Sequence, residues 1–133
     1  MKHKGCKLEF TQQRDEEIMN AYALANQSTK RRTMIEVAER IVSAPCSRFW
    51  VSEDRAMAII AAMAKGNLLP VNMRKSKKDM FTEIFRRVCL IRETNPHKSM
   101  RALVAGVIMQ SAPCFYMTPR SAMEIVYRIR KGR

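Results

Sequence analysis

The chain contains one motif twice, and this internal repeat constrains the fold more than any other feature of the sequence. The first copy has the letters SAPCSRFW at residues 43–50, and the second has SAPCFY at residues 111–116. In each copy a hydroxyl residue, Ser52 or Thr118, then precedes an apolar-periodic segment that ends at Lys-Gly. A repeat of this kind indicates that one supersecondary unit is used twice.

Apolar residues recur at helical spacing throughout, and no segment alternates like a strand between hairpin turns. We therefore predict an all-α fold of six helices, arranged as two tandem three-helix repeats with a helix-turn-helix-like layout and packed into one body. The expected divisions are a basic N-terminal arm at 1–8, the first copy at 9–66, a connector at 67–75 and the second copy at 76–133. Capping residues predict the six helix starts: Thr11, Ser28 or Thr29, Ser52, Ser76, Asn95 before Pro96, and Thr118 before Pro119.

Positive charge is concentrated in the second half of the sequence. The formal net charge is +13. Residues 1–66 contain 11 Lys and Arg against 8 Asp and Glu, a net +3, whereas residues 67–133 contain 14 against 4, a net +10. Such a surplus in a small chain attracts an anionic partner. The sequence therefore predicts nucleic-acid binding through the second copy, with DNA favoured over RNA.

The basic residues of the connector and of the last helix are the predicted binding residues. We expect them to meet on one surface, because a fourth helix and a sixth helix of one three-helix unit must pack together. They can contact phosphates without sequence preference, or contact base edges as a groove-binding helix does. The candidates are Arg74, Lys75, Lys77, Lys78, Arg120, Tyr127, Arg128, Lys131 and Arg133.

The third helix differs from the last helix on the side that faces away from its apolar stripe. Positions that hold Glu124, Tyr127 and Arg128 in the second copy hold alanines in the first. A helix that is apolar nearly all round is typically buried. We therefore expect the alanine face to pack against the other copy or a second chain, as in a homodimer. The alanines are Ala58, Ala61 and Ala62.

The aromatic pairs Phe49-Trp50 and Phe115-Tyr116 have two interpretations. Aromatic side chains beside cations can stack on the bases of single strands. A pair that precedes a capped helix more often folds back into the core, and its presence in both copies favours packing. The connector residues Leu68, Leu69 and Val71 are likewise expected to avoid full exposure.

No catalytic, metal or cofactor motif is evident. The four cysteines are far apart and include no C-x-x-C pair, which argues against zinc. Cys46 and Cys114 occupy equivalent motif positions, as small buried apolar residues would. Two histidines, four glycines and few carboxylates in the basic half leave no hydrolase, nucleotide-loop or nuclease pattern. We expect no enzyme activity, no cofactor and no metal.

The two motifs and the helices after them resemble those of small uncharacterised basic proteins from bacterial and phage genomes. The resemblance implies a bacterial or phage origin, and it carries no assigned activity. With no signal peptide and no long apolar run, the chain is expected to be cytoplasmic and away from membranes. The predicted function is non-enzymatic nucleic-acid binding, as a DNA-binding regulator or accessory factor of a mobile element. The alternative is a helical interaction module that binds an acidic protein or a ribonucleoprotein.

Overall fold

A computed structural model describes the backbone of residues 3–27 and 32–132, and side chains from residue 10 onward. The prediction of an all-α fold is confirmed, because these residues form helices and no strand longer than one isolated bridge. The bounds are α1 His3–Asn26, α2 Met34–Ser43, α3 Glu53–Ala64, α4 Lys75–Thr94, α5 Met100–Ile108 and α6 Pro119–Arg130.

Two of the predicted helix starts are confirmed by side-chain caps. The Ser52 hydroxyl accepts a hydrogen bond from the Arg55 N–H at the start of α3, and Thr118 accepts one from the Ser121 N–H at the start of α6. Each satisfies an N–H group that the helix itself leaves without a partner. Gly66 follows α3 with a φ of +91°, the left-handed conformation that glycine adopts without strain.

The other starts differ from prediction. Thr33 caps α2 by forming a capping box with Glu36, which satisfies two N–H groups at once. Asn95 does not start α5, because its side-chain amide donates to the Ile91 carbonyl at 3.1 Å, at the end of the preceding helix. Ser99 caps α5 instead.

The long helices also begin elsewhere. Thr11 lies inside α1, so the segment expected to be a separate basic arm belongs to this helix from His3 onward. Helix α4 starts one residue before Ser76, with Arg74 as its N-cap and no side-chain cap bond. A Lys75–Asp79 ion pair of 2.9 Å joins positions i and i+4 in its first turns.

The helices are grouped in two compact units that differ from the expected consecutive ones. The first unit consists of Met1–Cys46 and Ala112–Arg133, and the second is the continuous segment Ser47–Ser111. Helices α1, α2 and α6 thus pack in the first unit, and α3, α4 and α5 in the second. The predicted division into 9–66 and 76–133 is wrong, because the last helix of each copy packs with the first two helices of the other copy.

The chain becomes extended directly after α2. Pro45 disfavours helical backbone in the residue before it, and Ala44 is accordingly extended, with φ −74° and ψ 145°. The chain therefore leaves α2 in an extended conformation. In the first unit Cys46 and Ala112 then pair as an antiparallel bridge, and the Val42 carbonyl accepts from the Phe115 N–H at 3.1 Å.

The second unit contains the counterpart of this last bond. The Phe49 N–H donates to the Ile108 carbonyl at 2.9 Å, and adding 66 to the number of Val42 or Phe49 gives Ile108 or Phe115. In both units, the buried phenylalanine that follows one copy's short helix, α2 or α5, is therefore hydrogen-bonded to the short helix of the other copy. Superposition of the two copies stays a prediction.

Each unit has its own apolar core. The buried residues of the first unit include Ile18, Ala25, Val37, Ala38, Ile41, Phe115, Ala122, Met123 and Val126. Those of the second include Phe49, Trp50, Ala56, Ile60, Met80, Phe81, Ile84, Val88, Leu103, Val104 and Val107. In α2 the buried residues are Val37, Ala38 and Ile41, and Met34 is 43% exposed.

Candidate nucleic-acid interface

The predicted binding residues are divided between the two units. Four of them form what we call the connector cluster, which lies in the second unit: Arg74, Lys75, Lys77 and Lys78. Arg120, Tyr127, Arg128 and Lys131 lie on or next to α6 in the first unit, and Arg133 lies outside the described residues. The packing argument that placed all of them on one surface is wrong, because α4 packs with α3 and α5, and α6 with α1 and α2.

The charge asymmetry of the sequence halves does not correspond to the compact units. The first unit contains 13 Lys and Arg against 7 Asp and Glu, a net +6. The second contains 12 against 5, a net +7. Because the exchange of last helices redistributes the cations, neither unit is singled out by its net charge. The candidate binding surfaces of the two units are therefore compared by how their cations are arranged locally.

In the first unit, two arginines of α6 are held by side chains of α1. Arg128 donates to Asp15 of α1 at 2.8 Å, and the Asp15 side chain is only 14% exposed. Arg130 donates to the Tyr22 hydroxyl at 2.9 Å and lies over that ring. Hydrogen-bonded and partly buried partners of this kind make Arg128 and Arg130 part of the α1–α6 packing.

The exposed side of α6 carries fewer available cations than the sequence predicts. Arg120 and Glu124 form an exposed ion pair of 3.6 Å, and such pairs are weak. Lys131, at the C-cap, is exposed, and Tyr127 is 44% exposed. The predicted α6 surface is therefore reduced to a few solvent-exposed residues beside an arginine that stabilises the unit.

The connector cluster has a different character. Residues 65–78 contain five cations, Lys65 and the four members of the cluster, and no Asp or Glu. Arg74, Lys75 and Lys77 are exposed, and Lys78 is half-buried. The nearest acid along the chain is Asp79, which is paired with Lys75. One short segment thus concentrates positive charge at the end of α3 and the start of α4.

Two other arginines of the second unit serve its loops. Arg48 donates to the carbonyls of Phe49 and Val51 at 2.9 and 2.8 Å and lies over the Trp50 ring, and burial lowers the pKa of its guanidinium. Arg87 donates to the Ser111 carbonyl at 2.9 Å and lies 5.0 Å from the centre of the Phe49 ring. Both arginines hold backbone carbonyls in the loops near the two ends of the segment Ser47–Ser111.

Glu83 is the centre of the strongest ion-pair group in the second unit. Arg86 donates to its carboxylate at 3.1 and 2.7 Å, and Arg87 donates at 2.7 Å. The hydrogen bond from Arg86, then that from Arg87, and the positive charges of both lower the pKa of Glu83 to about 2. These two arginines are therefore partly neutralised.

The packing interpretation of the aromatic pairs is confirmed. Phe49 is 0% exposed, Trp50 6% and Phe115 2%, so these three side chains belong to the cores. Tyr116 is half-buried and has a φ of 54°. Stacking of bases on the three buried rings would require opening a core.

The alanine face of the third helix is not buried within the chain. Ala58 is exposed, and Ala61 and Ala62 are half-buried. The buried residues of α3 are Ala56 and Ile60, on its predicted apolar stripe. Helix α3 packs against α4 and α5, and the homodimer through its alanine face stays a prediction.

The connector also presents apolar residues whose full exposure was not predicted from the sequence. Leu68 and Val71 are each 94% exposed, so the expectation that they avoid full exposure is wrong for both. The signal for exposure was the turn chemistry around them, since Asn67, Pro70 and Asn72 favour a projecting loop.

Cysteine, metal and membrane features add no site. Cys46 is buried, its backbone pairs with Ala112, and its Sγ donates to the Cys114 carbonyl at 3.3 Å, whereas Cys114 is half-buried. Among the residues that the structure describes, no group of three His, Cys, Asp or Glu could hold a metal ion. No described helix is both long and apolar enough to cross a bilayer. The side chain of Cys6 lies outside the described residues.

Comparison with known proteins is negative throughout. No protein-family model, no curated protein and no solved structure matches the chain.

Proposed function

We propose that this protein is a non-enzymatic nucleic-acid-binding protein, and that the connector cluster supplies its principal phosphate contacts. DNA is the proposed ligand, in the role of a bacterial or phage regulator or of an accessory factor of a mobile element. The observation that carries the proposal is the segment 65–78, with five cations and no acid at the junction of α3 and α4. Closely spaced cations neutralise neighbouring phosphates and release their counterions.

The arrangement supports phosphate contact more than base readout. The cluster lies at a helix start and in a loop, where long flexible side chains can reach a backbone. The exposed part of α6, with Arg120, Tyr127 and Lys131, is a second and smaller contact region. A helix that contacts base edges needs several directed side chains on one face, and the hydrogen bond from Arg128 to Asp15 removes one candidate.

The decisive experiment is an electrophoretic shift assay with duplex DNA, single-stranded DNA and structured RNA, each over a range of salt. The test variant replaces three exposed cluster cations, Arg74→Gln, Lys75→Gln and Lys77→Gln. If all three contact phosphates, the slope of log K against log salt falls in magnitude by about three. Affinity should fall on all sequences to a similar degree.

The matched control removes three charges from exposed positions elsewhere in the second unit, Arg55→Gln, Arg92→Gln and Lys98→Gln. Net charge is then equal in the two variants, and only the position of the cations differs. Equal losses in both variants would mean that binding follows net charge and that the connector cluster is not the site. Absence of binding to all three nucleic acids would exclude the proposed function.

A second candidate function is that of a helical protein-interaction module with an acidic or ribonucleoprotein partner. It is favoured by apolar exposure in the first unit, where Leu24 and Ile35 are each 69% exposed. Leu24 lines a surface cleft of about 370 Å³ with Ala21, Ala25 and Pro45. Binding through such a cleft depends weakly on salt, which separates it from phosphate binding in the same assay.

A further inference from the structure

The connector loop between α3 and α4 places two large apolar side chains in solvent, next to the densest group of cations in the chain. Leu68 and Val71 are each 94% exposed, whereas Leu69 between them is half-buried. We call Leu68 and Val71 the connector tip. An exposed Leu is common on protein surfaces, but two nearly fully exposed aliphatic residues in one four-residue segment form a specific feature.

The base of the tip on the α3 side is ordered by a Schellman motif. The Asn67 N–H donates to the Ala62 carbonyl at 3.1 Å, and the Gly66 N–H donates to the Met63 carbonyl at 2.9 Å. Gly66 adopts the positive φ that this motif requires. The chain therefore leaves α3 in a fixed direction, and Leu68 follows directly.

The other side of the tip is ordered by contacts to α4. The Met73 N–H donates to the Pro70 carbonyl at 3.1 Å and closes a turn. The Lys78 Nζ donates to the Val71 carbonyl at 3.4 Å, so a cation of the connector cluster holds the tip itself. A loop fixed at both ends presents its side chains with a reduced loss of conformational entropy on binding.

We propose that the connector tip is a wedge that inserts between stacked base pairs of duplex DNA while the connector cluster holds the adjoining phosphates. This inference rests on the proposed function and names the mode of binding at the same site. Proteins that bind the minor groove use aliphatic side chains to unstack a base step, which kinks the duplex by roughly 20–90°. Cations beside the wedge neutralise the phosphates that the kink brings closer.

The small number of apolar side chains in the tip favours insertion at a base step over insertion into a lipid bilayer. Amphipathic elements that bind membranes bury a wide apolar face, usually a helix with several large residues. The tip offers two aliphatic side chains, and the residues on either side of it, Asn67 and Asn72, are polar. Two side chains are enough to separate one pair of stacked bases.

The test measures bending separately from binding. A duplex of about 30 base pairs carries a donor and an acceptor dye at its two ends, and energy transfer rises when the ends approach. Full-length wild-type protein should raise the transfer at saturation. It should also prefer a central TA or CA step to an A-tract, because pyrimidine–purine steps unstack more easily.

The test variant is Leu68→Gln with Val71→Gln. It should lose the rise in energy transfer and the preference for flexible steps, and its affinity should fall by roughly ten- to a hundredfold, the scale expected for burying aliphatic side chains. Its salt slope should match that of the wild type, since the cations are intact. The control, Leu90→Gln with Met109→Gln, changes two other exposed apolar residues of the second unit and should keep all three properties.

The outcomes separate this inference from the proposed function. Wild-type protein that binds duplex DNA without raising the transfer overturns the wedge and leaves phosphate binding intact. The same conclusion follows if the tip variant still bends the duplex. Failure to bind any nucleic acid overturns both, and binding to phosphatidylserine vesicles that the tip variant loses would assign the tip to a lipid surface instead.

Discussion

Cys46 and Ala112 exchange two backbone hydrogen bonds, of 3.0 Å from the Cys46 N–H and 2.9 Å from the Ala112 N–H. Adding 66 to the number of Cys46 gives Ala112, so this pair joins corresponding positions of the two copies. The helix caps Ser52 and Thr118 are likewise 66 residues apart, although the Ser-Ala-Pro-Cys letters recur after 68. The first copy has two extra residues after the motif, and the second copy has two extra residues before it. The spacing from Val42 to Phe49 and from Ile108 to Phe115 is therefore seven residues in both copies.

Replacing single alanines of α3 with a larger residue tests which side of this helix is buried. Ala56 is 0% exposed in the core of the second unit, whereas Ala58 is exposed two residues away. Ala56→Leu should lower the free energy of unfolding by about 1–3 kcal/mol, because the core has no room for the added atoms. Ala58→Leu should change it by less than about 0.5 kcal/mol. Urea denaturation measures both, and equal effects would contradict the assigned face.

The alanine face of α3, which is exposed at Ala58, also permits a test of self-association. Ala58→Arg places a charge in the centre of the expected homodimer surface, where it would be buried without a partner. If the homodimer exists, the variant should sediment as a monomer at a concentration at which the wild type is dimeric. A wild type that is already monomeric at high micromolar concentration would rule out the interface.

The helix caps should contribute measurable stability. Thr118 accepts the Ser121 N–H at 3.1 Å at the start of α6, so Thr118→Ala should cost about 1 kcal/mol. Thr82 provides the control, since its hydroxyl only donates to the Lys78 carbonyl within α4. Thr82→Ala should be near neutral or slightly stabilising, because alanine has the higher helix propensity. Thermal or urea unfolding of the two variants gives the comparison.

The Arg128–Asp15 pair changes the expected result of reversing charge on α6. From the sequence, reversal of Arg120, Arg128 and Lys131 together should abolish binding without unfolding the chain. Arg128→Glu, however, places a second carboxylate against Asp15, whose side chain is 14% exposed, so it should destabilise the first unit. Arg120→Glu with Lys131→Glu should leave stability within about 0.5 kcal/mol, since both residues are exposed. Unfolding curves collected beside the binding assay separate the two effects.

Acid should weaken the fold through Glu83. Its pKa in the folded chain is about 2, below the ordinary value of 4.5, so the deprotonated form is favoured by folding. The stability this confers is fully present above about pH 4.5 and is lost as the pH falls toward 2. The difference in unfolding free energy between wild type and Glu83→Gln should therefore shrink over that window. In a background with Arg86→Gln and Arg87→Gln, the difference should vary much less with pH.

The sequence predicted the class of fold and most of the buried helix stripes, because periodicity and caps are local signals. Ser52 and Thr118 correctly predicted the starts of α3 and α6. Asn95 did not predict the start of α5, because its side-chain amide donates to the Ile91 carbonyl of the preceding helix. The grouping of helices could not be predicted from the repeat. Two copies of three helices have the same local pattern whether each copy closes on itself or exchanges its last helix.

The candidate site was partly predictable for a related reason. The connector cluster was evident as a run of cations with no acid among them. The attachment of Arg128 to α1 was not, since it joins residues more than one hundred positions apart. The exposure of Leu68 and Val71 was not predicted, because aliphatic residues are usually buried. Whether they are exposed depends on the geometry of the loop, which the sequence does not specify.

The exchange of last helices also sets an order for assembly during synthesis. The second unit is one continuous segment, Ser47–Ser111, and all of its helices are present once that segment has left the ribosome. The first unit needs α6, which is translated after α1 to α5, before α1 and α2 can complete their core. Helices α1 and α2, although translated before α6, can therefore complete their packing only after it, and until then Ile18, Val37 and Ile41 lack the apolar partners that α6 supplies. A chaperone that recognises exposed aliphatic residues on nascent chains would meet this protein through its first 46 residues.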